Sequence, residues 1–215
     1  MYRSSFELNN LFYQNNYSFI KDLFFFEMQK SYLCPSCKYN ENQFYIKCVL
    51  DLDLDQKLNK WKNIEYISIY DFLDLYQSIE CNKCNYNCLY KRKINTCPKI
   101  LIIAINSKET QNIKFNLDEE IDISNYLTDK ENYYQAKYKL ISIIVNNSLV
   151  YCRSMERYAW YKYEKTTVKT LNNINNNLNN VPYLLIYEQK SFKPYFTNNN
   201  NNYIDSYLRV KCNNK

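Results

Sequence analysis

The chain has 215 residues, with 28 Lys and Arg against 22 Asp and Glu (formal net charge +6), and contains neither histidine nor glycine. Without imidazole, no Ser-His or Cys-His relay can be assembled within this sequence, and histidine ligation of a metal is excluded. Without glycine there is no P-loop and no dinucleotide fingerprint, since both need glycine where backbone approaches phosphate.

The length suits one domain of ordinary size, and 46% hydrophobic residues suffice for a sizeable core. An average chain of this length carries roughly 15 glycines. Their absence, the 24 tyrosines and the asparagine runs read as the product of an A/T-rich coding sequence. Lysine drift then accounts for much of the positive charge, and a nucleic-acid partner is disfavoured. Nine cysteines are present. The N-terminal MYRSSFELNN has no apolar core of a secretory leader, and no run reaches the roughly 18 apolar residues of a membrane span. The thiols therefore read as reduced and intracellular, in cytoplasm or nucleus.

In chain order, the apolar cluster Leu23–Phe26 predicts a strand leading into Cys34-Pro35-Ser36-Cys37. Residues 43–54 alternate apolar and polar, which predicts one half-buried strand. Ile69, Phe72, Leu73 and Tyr76 stand at helical spacing, so a short amphipathic helix is expected over 67–76. A second knuckle follows, Cys81-Asn82-Lys83-Cys84, then Lys91-Arg92-Lys93, read as a solvated strand face. After Pro98, Ile100–Ile105 is a near-continuous apolar run, as in a strand buried on both faces. Residues 138–146, 149–153, 158–163 and 183–188 predict further strands, with Trp160 and Tyr161 as core residues. The Asn-rich stretches 172–180 and 198–202 read as loops. Residues 203–215 are expected to form a short helix or stay disordered.

The two C-x-x-C knuckles lie 43 residues apart. Brought together, Cys34, Cys37, Cys81 and Cys84 supply the thiolate set of a closed tetrahedral structural zinc site. The competing reading is four reduced cysteines packed as small hydrophobes. Cys88 is a possible substitute ligand. Cys48, Cys97, Cys152 and Cys212 read as bystanders, and Cys152 has no base to activate it.

The order of these segments resembles the ubiquitin-specific protease family, the papain-like deubiquitinases built as thumb, fingers and palm. FFFEMQKSYLCPSC (24–37) is similar to the entry into the fingers. Residues 48–54 and 67–76 resemble the family's L-x-L-x-L strand and short helix. PKILIIAIN (98–106), IDISNYL (121–127), YKLISIIVNN (138–147), VYCRS (150–154), WYKYE (160–164) and PYLLIYEQ (182–189) resemble successive palm segments. The resemblance runs over roughly 20–188. It implies an α+β fold of that superfamily, predominantly antiparallel β, with a four-cysteine zinc ribbon. The implied division is 1–23 as a lead-in, 24–97 as fingers, 98–190 as a palm-like unit and 191–215 as an Asn-rich tail.

The departures concern catalysis. The family's nucleophile box, G-x-x-N-x-G-N-T-C-Y, is absent from this sequence. The histidine of G-H-Y-x-A-Y falls on Asn147, within a residue or more, and the triad acid falls on Glu164. Asn147 also reads as an ordinary turn asparagine, and Glu164 as an exposed carboxylate. The resemblance thus implies ubiquitin binding or scaffolding by a catalytically inactive domain holding one zinc ion. The alternatives are part of an active deubiquitinase completed by further sequence, a zinc-ribbon nucleic-acid binder, and a decaying product. Oligomeric state is not legible.

Overall fold

The computed structural model describes residues 19–53, 66–74, 76–106, 114–129, 134–146, 149–154, 159–172, 174 and 182–191. Phe19–Phe24 is a helix, α1, where a strand was expected over Leu23–Phe26. Its last turn closes when the Phe25 N–H donates to the Lys21 carbonyl at 3.0 Å. The strand begins at Phe26 (β1, Phe26–Leu33).

Four antiparallel strands form the smaller sheet, in order β2-β1-β6-β5. They are β2 (Asn40–Lys47), β1, β6 (Asn87–Ile94) and β5 (Tyr76–Glu80). Register pairs Met28 with Ile94, and both are buried. On the opposite face Phe44, Leu33 and Leu89 are exposed. Because side chains alternate across a strand, one face of this sheet meets the core and the other meets solvent.

The single strand expected over 43–54 is two strands in different sheets. β2 ends at Lys47, the chain bends at 48–49, and β3 (Leu50–Asp53) pairs in parallel with β7 (Ile100–Asn106). The expected helix over 67–76 is also divided. After β4 (Tyr66–Ile67), the helix α2 is Ile69–Leu73, and Tyr76 opens β5 with its ring exposed. The Asp71 carboxylate accepts from the Ser68 N–H (2.8 Å) and hydroxyl (3.0 Å), capping the first turn.

The larger sheet runs β13-β12-β11-β10-β14-β7-β3, with β9 added beside β10. β9 is Glu120–Asp122, β10 Lys137–Asn146, β11 Leu149–Arg153, β12 Trp160–Glu164, β13 Thr167–Leu171 and β14 Leu184–Gln189. β8 (Lys114–Phe115) pairs separately with β4. In β7, Leu101, Ile103 and Ile105 are buried on one face and Ala104 on the other, as the apolar run predicts. Trp160 is core; Tyr161 is only half-buried. The buried tyrosines keep partners: Tyr138 donates to the Pro98 carbonyl (2.7 Å) and Tyr187 to that of Asp118 (2.9 Å).

The sheets meet around Ile94. Its carbonyl accepts from the Thr128 N–H (2.9 Å), and the Thr128 hydroxyl donates to the Asn95 side chain (2.6 Å). Asp74, just past α2, accepts from Lys91 of β6 (2.9 Å) and from the Tyr126 hydroxyl (3.1 Å). Tyr126 belongs to a 3-10 turn, Ser124–Tyr126. The stretches 198–202 and 203–215, most of 172–180, Asn147 and Cys212 lie outside the described residues. No helix among the described residues is long and apolar enough to cross a membrane.

Candidate metal centre

Each knuckle sits at the head of a hairpin. Cys34 follows β1, and β2 begins at Asn40; Cys81 follows β5, and β6 begins at Asn87. The two turns close alike. The Cys34 N–H donates to the Tyr39 carbonyl (2.8 Å), and the Lys38 N–H donates back to the Cys34 carbonyl (3.0 Å). In the second, Cys81 donates to Tyr86 (2.8 Å) and Asn85 to Cys81 (2.9 Å). The reversal requires a left-handed residue, with φ 60° at Lys38 and 56° at Asn85. Glycine ordinarily fills such positions; this chain has none.

The structure brings Cys34, Cys37, Cys81 and Cys84 together, with all four Sγ atoms within 4.8 Å of one another. Cys34 Sγ lies 3.5 Å from Cys84 Sγ, and Cys37 Sγ lies 3.6 Å from Cys81 Sγ. Those separations exceed the ~2.05 Å of a disulfide, and the cysteines are free. A tetrahedral ion with bonds of about 2.3 Å to sulfur spaces its ligands roughly 3.8 Å apart. The donor set and spacing therefore fit a metal held between the hairpins.

The environment divides the thiols. Burial pushes the Cys34 thiol up, but the Cys37 N–H, the Cys84 thiol and the Ser36 N–H outweigh it and bring its pKa down to about 6. Cys81 is also lowered against the opposing effect of burial, by the N–H groups of Lys83 and Cys84 and by Cys37. Cys37 is pushed up to about 12: the Tyr39 N–H favours its thiolate, but burial and the three neighbouring thiols outweigh that. Two thiols are thus poised to ionise while a neighbour retains its proton, as expected where like charges crowd one site.

Cys88 stands outside the four-sulfur group. It is 1% exposed, packs with Tyr32, Cys34, Cys81 and Tyr90, and its thiol donates to the Tyr86 carbonyl at 3.5 Å. Burial raises its pKa to about 11. Cys48 is exposed, Cys97 half-buried, and Cys152 rests 3.4 Å from the Ser142 hydroxyl.

Sequence reading did not single out the side chains around the knuckles. The Glu41 carboxylate accepts from the Tyr32 hydroxyl (2.6 Å), the Asn82 amide (2.7 Å) and the Gln43 amide (2.6 Å). Lys83 lies 4.6 Å over the Tyr39 ring.

At the far end of the larger sheet, register places Leu149 opposite both Asn146 and Glu164. β10 and β12 lie on either side of β11, so Asn146 and Glu164 flank Leu149 at the same end of the sheet. The Glu164 carboxylate is 47% exposed and paired with Lys162 at 2.8 Å, which holds it below the usual carboxylate range.

The family profile "Ubiquitin carboxyl-terminal hydrolase" matches residues 5–187, and the chain belongs to that family. It is 26% identical over 212 residues to the "Probable ubiquitin carboxyl-terminal hydrolase" of Acanthamoeba polyphaga mimivirus, covering 85% of this chain and 44% of that protein. Among solved structures, its fold is similar to that of a yeast SAGA DUB module (TM-score 0.65, 17% identity, 89% of this chain and 47% of the other). It is likewise similar to a SAGA Ubp8/Sgf11/Sus1/Sgf73 DUB module bound to ubiquitin aldehyde (TM-score 0.61, 17% identity, 84% and 44%). The chain spans less than half the length of each of these relatives.

Proposed function

We propose that this chain is a ubiquitin-binding, catalytically inactive ubiquitin-specific-protease domain. The four-stranded sheet acts as fingers, residues 98–190 act as palm, and Cys34, Cys37, Cys81 and Cys84 hold one structural zinc ion. The ion, when bound, supplies cross-linking and no chemistry: four thiolates close its coordination sphere and leave no position for water. The observation that carries the reading is that a chain matching the family profile over residues 5–187 contains no histidine among its 215 residues. Loss of nucleophile or base in a protease triad removes about 10⁴-fold to 10⁶-fold of the rate. Asn147 and Glu164 are read as vestiges of the base and acid positions. The ion pair to Lys162 occupies the Glu164 carboxylate, in keeping with a group that orients no imidazole. The free thiols suit a reducing compartment, cytoplasm or nucleus.

The test is a titration of isotope-labelled ubiquitin with the zinc-loaded chain, followed by NMR, beside a fluorogenic ubiquitin substrate. Saturable shifts on one face of ubiquitin with no turnover are expected. No shift at several hundred micromolar protein would sink the binding role. A second reading, a portion of an active deubiquitinase, is favoured by the chain's coverage of only 44% of its viral relative. Covalent capture by a C-terminally activated ubiquitin probe in extract of the source cells would establish it.

A further inference from the structure

The two knuckles are closed by backbone hydrogen bonds within their own hairpins and joined to each other by side chains. Pairing continues to Leu33 and Asn40 in the first hairpin and to Glu80 and Asn87 in the second. Between the hairpins, the β1–β6 ladder runs from Met28 and Ile94 only as far as Ser31 and Lys91. It stops three residues short of Cys34. Beyond it the hairpins meet through side chains: Tyr32 and Cys34 pack in one cluster with Cys81, Cys88 and Tyr90, and the four thiols converge.

Among the described residues, the hydrogen bonds that Asn82 makes between the hairpins centre on Glu41 and its partner Tyr32. Asn82, the residue after Cys81, donates its side-chain amide to Glu41 at 2.7 Å, and its N–H reaches the Tyr32 hydroxyl at 3.4 Å. Tyr32 and Glu41 are register partners on β1 and β2, two and seven residues from Cys34, and their side chains are bonded at 2.6 Å. Gln43 holds the other Glu41 oxygen at 2.6 Å. The carboxylate thus receives three donors from three backbone segments. A side chain held in this way has little rotamer freedom left to lose, and its position fixes that of Asn82.

We propose that Glu41 is the positioning residue of the metal site: it clasps the second knuckle to the first hairpin and sets the distance between the two thiol pairs before an ion arrives. Preorganisation of this kind strengthens binding by removing the ordering cost that the ion would otherwise bear. Partners beyond the ligands typically change metal affinity by about 10-fold to 100-fold. The inference rests on the metal reading above.

The experiment is a zinc competition with a chromophoric chelator on the full chain, with cobalt spectra as a second readout. The variants are Asn82→Ala, Glu41→Ala, Glu41→Gln and Gln43→Ala. Asn82→Ala is the decisive one, because Asn82 is exposed and the Tyr32–Glu41 bond survives its removal. Asn82→Ala and Glu41→Ala are expected to weaken zinc by about 10-fold or more, with the tetrathiolate cobalt band retained. Glu41→Gln keeps one acceptor oxygen and should recover part of the loss. Gln43→Ala frees one Glu41 oxygen but leaves the bond to Asn82, and should weaken zinc less than Asn82→Ala does. Wild-type affinity in Asn82→Ala would overturn the clasp alone, whatever Glu41→Ala does, because only Asn82 carries the bond across. A wild-type chain that takes up neither zinc nor cobalt would overturn the metal reading, and the clasp with it.

Discussion

Lys30 of β1 stands directly opposite Arg92 of β6, two cations on the same face of the smaller sheet. Lys47 adds a third positive charge nearby, and burial, then Arg92, then Lys47 push the Lys30 ammonium below its ordinary value. Its compensation is aromatic: Nζ lies 5.1 Å from the Tyr45 ring centroid and 5.5 Å from that of Tyr90. Like charges opposed across a ladder destabilise it by roughly 0.2–1 kcal/mol. Lys30→Met, which keeps the packed stem, is expected to raise stability by about 0.5 kcal/mol at low salt. The gain should shrink as salt screens the repulsion. Urea unfolding at two ionic strengths checks this; a loss of stability at both would show that the ring contacts outweigh the repulsion.

The absence of glycine leaves a measurable strain in the knuckles. Lys38 occupies the left-handed region at φ 60° and Asn85 at φ 56°. For an ordinary side chain that conformation costs about 1–2 kcal/mol, while asparagine tolerates it. Glycine loses roughly 0.5–1 kcal/mol in chain entropy on folding. The difference predicts that Lys38→Gly stabilises the zinc-loaded chain by about 0.5–1 kcal/mol. Asn85→Gly should be close to neutral. Denaturant midpoints of the two variants, measured side by side, decide whether the residue type or the turn itself sets the strain.

The Tyr32–Glu41 bond defines a pH window. The Tyr32 hydroxyl, then Gln43, hold the Glu41 carboxyl below its usual range against the opposing effect of burial. A depressed carboxylate contributes stability above its unfolded value, and that contribution is lost as pH falls through the folded value. Tyr32 moves the other way: the bond to Glu41, then burial, raise it from 10.0 to about 12. Its contribution is complete below 10 and disappears as pH climbs through about 12. The stability difference between wild type and Glu41→Gln should therefore be flat near neutrality and collapse at both extremes. Subtracting the variant removes the acid loss of the thiolates, which both proteins share.

Legibility followed burial. The knuckles were readable because C-x-x-C is a local pattern tied to a ligand requirement. β7, β10, β11, β12 and β14 were readable because each carries a run or alternation of apolar residues facing the core. The stretch 43–54 misled because Cys48, Val49 and Leu50 carry its apolar character straight through the bend, with no glycine or proline to mark it. Thr167–Leu171 was invisible because four of its five residues are exposed, so neither face carries an apolar signal. Tyr76 was misassigned because spacing alone cannot separate the last turn of a helix from the first residue of a strand. Glu41 could not be found at all. Its partner Asn82 lies 41 positions away, and a carboxylate and an amide so separated have no sequence signature.

Cys88 supplies the control that separates a metal site from a packed cluster of thiols. It is as buried as Cys34 and Cys81 and belongs to the same packed cluster, yet lies outside the four-sulfur group. If the cysteines act only as small hydrophobes, Cys81→Ser and Cys88→Ala should cost similar, modest amounts of stability. If they hold zinc, the two diverge. Structural zinc contributes on the order of 10 kcal/mol to folding of small modules, so Cys81→Ser should abolish stoichiometric zinc and strip protection from the amides of β1, β2, β5 and β6. Cys88→Ala should retain one zinc per chain and lose only packing. Binding requires thiolates, so affinity should also fall as pH falls, and the fall should steepen below about 6, where Cys34 too holds its proton. Metal analysis and hydrogen exchange on the two variants decide the matter, and equal behaviour would return the knuckles to plain core packing.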